Sequence, residues 1–252
     1  MKKLAGIYQR IGISLCVTVS GFSLFHVTDV YVEGKQNEVT LEEARQLYEP
    51  APVLPAAAQS EQKQVEEPRF EKLRRLNEDI IGWIQIDGTP VDYPLLQAAD
   101  NETYLSLDYK GEKQRAGSIF VDYRNAAPLQ ERHTIIYGHH MRDGSMFAGL
   151  QKFVEPDFLK RHKMFTIETL TDSYQIEIFA VYRTTTDFYY LETDFHSDEA
   201  FLSFIEEIQA RSLHQAEVDI TADDKIVTLS TCDYVADPAD GRLVIHGKVR
   251  AD

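Results

Sequence analysis

Short apolar runs rich in β-branched and aromatic residues recur from about residue 80 onward, and they limit the possible folds more than any other feature. In YQIEIFAVYRTT every second residue is apolar or aromatic, a pattern typical of a strand with one buried face. The predicted shared face consists of Tyr174, Ile176, Ile178, Ala180 and Tyr182. The other strand candidates lie in GWIQIDGTPVDYPLL, AGSIFVDYR, HTIIYGHH, KMFTIET, KIVTLSTC and GRLVIHGKV.

One strong helix interrupts these strands, in SDEAFLSFIEEIQARS. Ser197 is a suitable N-cap for it. One face of this helix is apolar and consists of Phe201, Phe204, Ile205 and Ile208. About eight strands with few helices predict a mainly β protein that forms a closed or nearly closed barrel. The number of strands alone does not distinguish such a barrel from a β-sandwich.

Two shorter helices are predicted before the strands. Thr40 and Glu43 form a capping-box pattern, and Pro50 would end the helix that follows it. The next stretch, PAPVLPAAAQSEQKQVEEP, is rich in Pro, Ala and Gln and is typical of a solvated spacer. A second helix is predicted from Pro68, a favourable first-turn residue, to about Glu78. Its inner face would carry Phe70, Leu73 and Leu76.

The N-terminus resembles a membrane anchor. Lys2, Lys3 and Arg10 precede residues 11–27, IGISLCVTVSGFSLFHV, which contain no Asp, Glu, Lys or Arg. This span is at the short end for a transmembrane helix, but the following TDVYVEG lacks a convincing A-x-A signal-peptide cleavage site, so an uncleaved anchor is favoured. Because basic residues precede the span and Glu33 follows it, the N-terminus is expected in the cytoplasm and the bulk of the chain outside.

The expected organisation therefore has four parts, and the chain as a whole is acidic. The parts are a basic cytoplasmic tail at 1–10, a transmembrane anchor at 11–28, a short helix and spacer at 29–67, and an outer domain at 68–252. The net charge is −15 at pH 7, which makes the chain a poor candidate for binding nucleic acid.

The two cysteines cannot form a disulfide within one folded domain, because Cys16 lies in the apolar span and Cys232 in the outer domain. Cys232 is therefore a lone thiol in a compartment where disulfides normally form. Such a residue is a candidate reactive thiol or intermolecular partner. The alternative is a buried, chemically inert cysteine, which is a common fate of single cysteines.

Arg242 is a candidate partner of Cys232. Cys232 ends the strand KIVTLSTC, Arg242 begins the strand RLVIHGKV, and nine residues join them. If these strands pair as neighbours, both side chains can point into one site. A guanidinium near a thiol favours the thiolate and can donate to a developing oxyanion. The alternative interpretation of Arg242 is a solvated cation at a strand edge.

A histidine pair in TIIYGHHMRDG could supply the proton transfer that a thiol nucleophile needs. His139 and His140 follow a strand and begin a glycine-bearing loop, a place where catalytic groups are often found. The alternative is that they are ordinary surface polar residues. Metal binding is less favoured, because two adjacent histidines and one cysteine lack a recognisable zinc spacing.

Taken together, these motifs resemble the sortases, and specifically those of class B. The marks are YGHHM, then LSTC with its cysteine 93 residues after His139, then Arg242 ten residues further on. The segments DNETYLSLDYKGEKQRAGSIFVDYRN and YRTTTDFYYLETDF, with the helix that follows, are similar to class B segments. The resemblance covers roughly residues 68–250. It implies an eight-stranded sortase-type β-barrel with N-terminal helices and one long helix before the last two strands.

The resemblance also implies roles for individual residues. His139 matches the catalytic histidine, Cys232 the nucleophile and Arg242 the catalytic arginine, while His140 is interpreted as neighbouring structure. The positions that match the groove for the sorting signal are Asn101, Leu105, Thr186, Tyr190, Leu191 and Ser230. No cofactor and no metal is expected.

The function implied is that of a single-pass membrane-anchored cysteine transpeptidase with an extracytoplasmic catalytic domain. It would cleave a C-terminal sorting signal of the NPxT-[NG] type in secreted proteins at Thr. The acyl group would pass to an amine of a peptidoglycan precursor, which anchors the protein to the cell wall. Three alternatives remain: a class B sortase that polymerises pilin subunits through a lysine, a cysteine peptidase that only hydrolyses, and an anchored binding module with a buried Cys232.

Overall fold

The computed structural model describes residues 28, 31–48, 68–233 and 235–250. The predicted basic tail, the spacer at 51–67 and all of the predicted anchor except residue 28 lie outside these residues. Within the described ranges, no helix combines the length and the apolar character needed to cross a membrane.

The chain divides into two compact units after Thr40. In the first, residues 31–40 are helical, and in the second, residues 41–47 form helix α1. The predicted helix start at Thr40 is therefore wrong, because the residues before it are also helical. Glu, Lys and Gln in that stretch are good helix formers, and Lys35 and Glu38 form an ion pair of 2.6 Å three residues apart.

The elements that follow match the predicted sequence of strands. The helices are α2 (Pro68–Leu76), α3 (Pro156–Arg161) and α4 (Asp198–Arg211), with 3-10 helices at Thr103–Leu105 and Phe147–Val154. The strands are β1 (Ile80–Gln85), β2 (Asp92–Leu96), β3 (Ile119–Val121), β4 (His133–Tyr137), β5 (Met164–Thr169), β6 (Ser173–Thr184), β7 (Ile226–Cys232) and β8 (Arg242–Val249).

The eight strands form a closed barrel in the order β1-β2-β3-β4-β7-β8-β6-β5, with β5 pairing to β1. The barrel prediction is confirmed, and the sandwich alternative is excluded by this closure. The pairs β2–β3 and β4–β7 are parallel, and the other pairs are antiparallel. The parallel β4–β7 pair matters most for the site, because parallel strands end at the same edge of a sheet.

Apolar side chains from most of the strands fill the interior of the barrel. Fully buried examples are Ile84, Ile136, Ile167, Val227 and Ile245. Burying one such side chain stabilises the fold by about 1.5–3 kcal/mol.

Strand β6 departs from simple alternation. A β-bulge shifts its register with β8 between Ile178 and Ala180. Ile178 therefore packs in the barrel core, whereas Ala180 and Tyr182 belong to an outer cluster on the α4 side. The predicted single face from Tyr174 to Tyr182 is wrong, because one extra residue at the bulge moves every later side chain to the opposite face.

The α4 prediction is confirmed. The Ser197 side chain accepts a hydrogen bond from the Ala200 N–H at the start of the helix. Phe201, Ile205 and Ile208 are buried and Phe204 is partly buried, so this face covers the outer side of β6.

Helix α2 ends earlier than predicted, at Leu76. Phe70 and Leu73 are buried as expected, but Leu76 is exposed, so its predicted place on the inner face is wrong. Residues three apart on an α-helix point in directions that differ by about 60°. Two such steps separate Leu76 from Phe70, which places Leu76 well away from the buried face.

Candidate active site

Cys232 and Arg242 lie directly opposite each other, because β7 and β8 pair as antiparallel neighbours. Cys232 is a free, half-buried cysteine. This partial exposure fits a thiol that reagents can reach, and it does not fit a fully buried one. Arg242 is also half-buried, and its Nη1 donates to the carbonyl of the adjacent Gly241 at 2.9 Å. The predicted pairing of the two strands is confirmed.

His139 lies at the same end of the barrel as Cys232. Tyr137 pairs with Ser230 in the parallel β4–β7 ladder, and the Gly138 N–H donates to the Ser230 carbonyl at 3.3 Å. His139 therefore leaves β4 beside the last residues of β7. A Cβ at Gly138 would lie 2.4 Å from the Ile119 Cδ1 atom and 2.8 Å from the Phe147 Cδ2 atom, so any larger residue would force these buried side chains to shift.

One hydrogen bond fixes the ring nitrogen through which His139 donates. Its Nε2 atom lies 2.8 Å from the backbone carbonyl of Leu105. A carbonyl oxygen only accepts, so Nε2 carries the proton, and in the neutral imidazole Nδ1 is left as the acceptor. The ring is therefore set to exchange its second proton at Nδ1.

The adjacent His140 contacts the backbone at Cys232. Its Nδ1 donates to the Cys232 carbonyl at 3.0 Å. His140 thus joins the loop after β4 to the end of β7. That His140 is neighbouring structure and not the catalytic group stays a prediction.

Two of the predicted groove residues, Tyr190 and Ser230, contact each other. The Tyr190 hydroxyl and the Ser230 Oγ atom lie 2.8 Å apart, and both side chains are buried. Burial raises the pKa of Tyr190, and the charges of Arg242 and Cys232 act on it in opposite directions. The phenol of Tyr190 therefore lies within electrostatic reach of both Cys232 and Arg242.

The other predicted groove residues have different environments. Leu105 ends the first 3-10 helix and is 42% exposed, and Thr186 is exposed after β6. Leu191 is half-buried and packs against the outer cluster beneath α4. Asn101 uses its side chain internally: its Nδ2 donates to Asp122 at 3.0 Å, and its Oδ1 accepts from the Tyr123 N–H at 3.0 Å.

A buried carboxylate that the sequence analysis missed holds the loop behind Cys232. Asp233 accepts from Arg183 Nε at 2.6 Å and from the Val235 N–H at 2.8 Å. Burial alone would raise the pKa of Asp233, but these hydrogen bonds lower it below the usual value. In the sequence, only its place directly after Cys232 separates Asp233 from Asp237 and Asp240 of the same loop.

The backbone of this loop is closed on itself. The Asp233 N–H donates to the Gly241 carbonyl at 2.8 Å, and the Gly241 N–H donates to the Asp237 carbonyl at 3.2 Å. A Cβ at Gly241 would lie 2.0 Å from the Asp233 carbonyl oxygen. The loop therefore holds Cys232 and Arg242 in fixed relation to each other.

Among the described residues, no group of His, Cys, Asp and Glu could hold a metal ion.

The fold and this arrangement agree with the comparisons with known proteins. The protein-family model of the sortase domain matches residues 84–250 of this chain. A sortase B from Listeria monocytogenes serovar 1/2a is 43% identical over 242 residues, which are 95% of this chain and 96% of the relative.

Two solved structures are similar throughout the barrel. A Staphylococcus aureus sortase B–substrate complex has a TM-score of 0.75 at 35% identity and covers 87% of this chain and 98% of its own. A sortase B complexed with triglycine has a TM-score of 0.75 at 34% identity and covers 86% of this chain and 98% of its own.

A closed eight-stranded barrel of this topology defines the class, and the chain belongs to the sortase family. Its relatives over nearly the full length are sortases of class B. The chain is thus a cysteine transpeptidase of the kind that processes sorting signals.

Proposed function

We propose that this enzyme cleaves a C-terminal sorting signal of the NPxT-[NG] type at Thr and transfers the acyl group to an amine. The observation that carries the proposal is the direct pairing of Cys232 with Arg242, at the barrel end where His139 leaves β4. Cys232 is the nucleophile, His139 the acid and base, and Arg242 the group that binds the substrate backbone and the oxyanion.

The first half-reaction forms a thioester on Cys232. The thiolate attacks the Thr carbonyl carbon, and Arg242 donates to the oxygen that gains negative charge. When the C–N bond breaks, the His139 imidazolium gives its proton to the departing amine. Because Nε2 is held by the Leu105 carbonyl, Nδ1 is the nitrogen through which that proton passes.

The second half-reaction releases the product. A neutral amine attacks the thioester carbon, His139 accepts a proton from it, and the C–S bond breaks to restore the Cys232 thiolate. Splitting amide exchange into two acyl transfers is the usual advantage of covalent catalysis. The amine proposed is that of a peptidoglycan precursor, and the triglycine bound by a related sortase B supports an amine of this chemical kind.

The groove for the sorting signal is proposed to consist of the six residues indicated by the resemblance. What supports this is the contact of Tyr190 with Ser230 beside Arg242, together with the exposed Leu105 above His139. The substrate complex of a related sortase B supports a peptide as the first substrate.

The place of action is proposed to be the outer face of the cell membrane, with residues 11–28 as the anchor. What supports this is the charge-free apolar span with Lys2, Lys3 and Arg10 before it. An anchored enzyme would meet secreted proteins and lipid-linked wall precursors at the membrane surface.

Incubation of the full chain with a peptide that carries NPxT-[NG] tests the proposal, with mass spectrometry of the products. Cleavage after Thr, and a new amide when triglycine is added, are expected from the wild type and not from Cys232→Ala. A peptide of scrambled order is the control. Unchanged turnover by Cys232→Ala, or an intact NPxT-[NG] peptide with the wild type, would overturn the proposal. A lysine peptide in place of triglycine tests the pilin alternative.

A further inference from the structure

Three segments that carry proposed site residues meet at one buried carboxylate, that of Asp122. One segment holds Asn101, the second holds Tyr137 two residues before His139, and the third holds Tyr189 directly before Tyr190. Asn101 and Tyr137 bond Asp122 directly, and Arg124 connects it to Tyr189. We define the Asp122 cluster as Asn101, Asp122, Arg124, Tyr137 and Tyr189.

Asp122 has no exposed surface, and both of its oxygen atoms are fully used. Oδ2 accepts from Asn101 Nδ2 at 3.0 Å, from the Tyr137 hydroxyl at 2.8 Å and from Arg124 Nη2 at 2.8 Å. Oδ1 accepts from the backbone N–H and the Nε of Arg124, each at 2.9 Å. The carboxylate of Asp122 thereby holds two of the three segments directly and the third through Arg124.

This carboxylate stays charged at any working pH. Burial alone would raise the pKa of Asp122, but the hydrogen bonds from Arg124 and Tyr137 lower it to about 2. The charge fixes the guanidinium of Arg124 in one orientation, because two of its nitrogens bind the same carboxylate. The remaining nitrogen, Nη1, is aimed away from Asp122.

Arg124 Nη1 donates to the Tyr189 hydroxyl at 3.0 Å. Tyr189 is 57% exposed, so its ring is not held by burial in the core. An exposed hydrogen bond of this kind contributes little to the stability of the fold. Its effect is local: it ties the chain just before Tyr190 and Leu191 to the β3–β4 side of the barrel.

We propose that Asp122, acting through Arg124, is a positioning residue that holds the segment Tyr189–Leu191 at a set distance from Asn101 and so determines the affinity for the sorting signal. The proposal rests on the proposed function, because Asn101, Tyr190 and Leu191 are groove residues only in that function. The proposed mechanism gives no chemical step to Asp122, Arg124 or Tyr189. Loss of the link should therefore weaken peptide binding without disabling Cys232.

The decisive variants are Arg124→Ala and Tyr189→Phe in the full chain. Each is expected to raise KM for the sorting peptide about five- to tenfold, the size of effect typical of one lost, partly solvated hydrogen bond, with kcat changed less than twofold. Arg124→Lys should recover only part of the loss, since an ammonium cannot bind Asp122 through two nitrogens and also reach Tyr189. Tyr189→Phe removes only an exposed hydroxyl and does not threaten folding.

A matched control separates positioning from stability. Arg132 donates to Asp198 at 2.8 Å, and its side chain is about as exposed as that of Arg124, but it lies at the opposite end of β4. Arg132→Ala should leave KM unchanged. Arg124→Ala also takes the guanidinium away from the fully buried Asp122, so it should lower the thermal midpoint more than Arg132→Ala does. Tyr189→Phe, which should leave the thermal midpoint unchanged, then separates an effect on KM from a loss of stability. An unchanged KM in both Arg124→Ala and Tyr189→Phe would overturn the proposal.

A second measurement does not depend on turnover. Amide hydrogen exchange without peptide should be faster at residues 187–192 in Arg124→Ala and Tyr189→Phe, and unchanged there in Arg132→Ala. If the wild type fails to cleave the sorting peptide, the proposed function falls, and the exchange rates still decide whether Arg124 holds this segment. Exchange at wild-type rates in both variants would contradict the holding role by itself.

Discussion

His140 donates from Nδ1 to the backbone carbonyl of Cys232, whereas its neighbour His139 donates from Nε2 to the carbonyl of Leu105. The two adjacent histidines thus differ in the ring nitrogen that donates and in the backbone carbonyl that accepts. His140 supports the chain at Cys232, and His139 has one ring nitrogen anchored and the other left for proton exchange. The first prediction follows from this difference.

His139→Ala should lower kcat for transpeptidation by about 10²- to 10⁴-fold, the usual contribution of a general acid and base. His140→Ala should cost only a few-fold, because it removes one hydrogen bond to a carbonyl. Steady-state assays with a sorting peptide and triglycine measure both. The reverse order of the two effects would reassign the proton-transfer role to His140.

Arg242→Lys should lower kcat by about 10²-fold, since loss of one oxyanion donor has an effect of this size. A lysine keeps the charge but loses the planar fork that can bind two acceptors at once. The control is Arg250→Lys beyond the far end of β8, where Arg250 pairs with Glu177 at 3.2 Å in an exposed position. Equal activity of Arg242→Lys and wild type would show that Arg242 is only a surface charge.

Gly241→Ala should destabilise the loop behind Cys232 by about 1–3 kcal/mol, a cost typical of inserting a methyl where there is no room. Its Cβ would lie 2.0 Å from the Asp233 carbonyl oxygen, so the loop must deform and kcat should fall as well. Gly111→Ala is a useful comparison. Gly111 has open space but a φ of +82°, so only backbone strain of about 1–2 kcal/mol is expected there, with kcat unchanged.

The free energy of unfolding should fall as the pH drops below about 6.5, the usual pKa of an unfolded histidine. Burial lowers the pKa of His133 to about 4 and that of His246 well below its usual value. Between pH 6.5 and 4 the unfolded chain therefore binds protons that the folded chain does not. Each histidine contributes a slope of about 1.4 kcal/mol per pH unit in that window.

Urea titrations at several pH values measure this slope. His133→Gln should reduce this slope by the amount that one proton contributes, about 1.4 kcal/mol per pH unit. His196→Gln, at an exposed histidine, should leave the slope unchanged. A slope in His133→Gln equal to that of the wild type would show that His133 does not remain neutral in the folded protein. The buried histidines are joined through Thr228, whose Oγ1 lies 2.6 Å from a ring nitrogen of each.

The elements that depend on local patterns of residues could be predicted from the amino-acid sequence. The apolar runs located all eight strands, and Ser197 marked the start of α4. The pairing of Cys232 with Arg242 was also predictable, because only nine residues join β7 to β8 and a short connection favours antiparallel neighbours.

Tertiary structure alone decided the features that depend on distant contacts. The closure between β1 and β5 separates the barrel from a sandwich, and the parallel β4–β7 pair carries His139 to Cys232 across 93 residues of sequence. Hydrophobic alternation specifies which face of a strand is buried but not which strand lies beside it. The bulge in β6 and the gathering of three segments on Asp122 have the same origin, since each exists only once remote strands have paired.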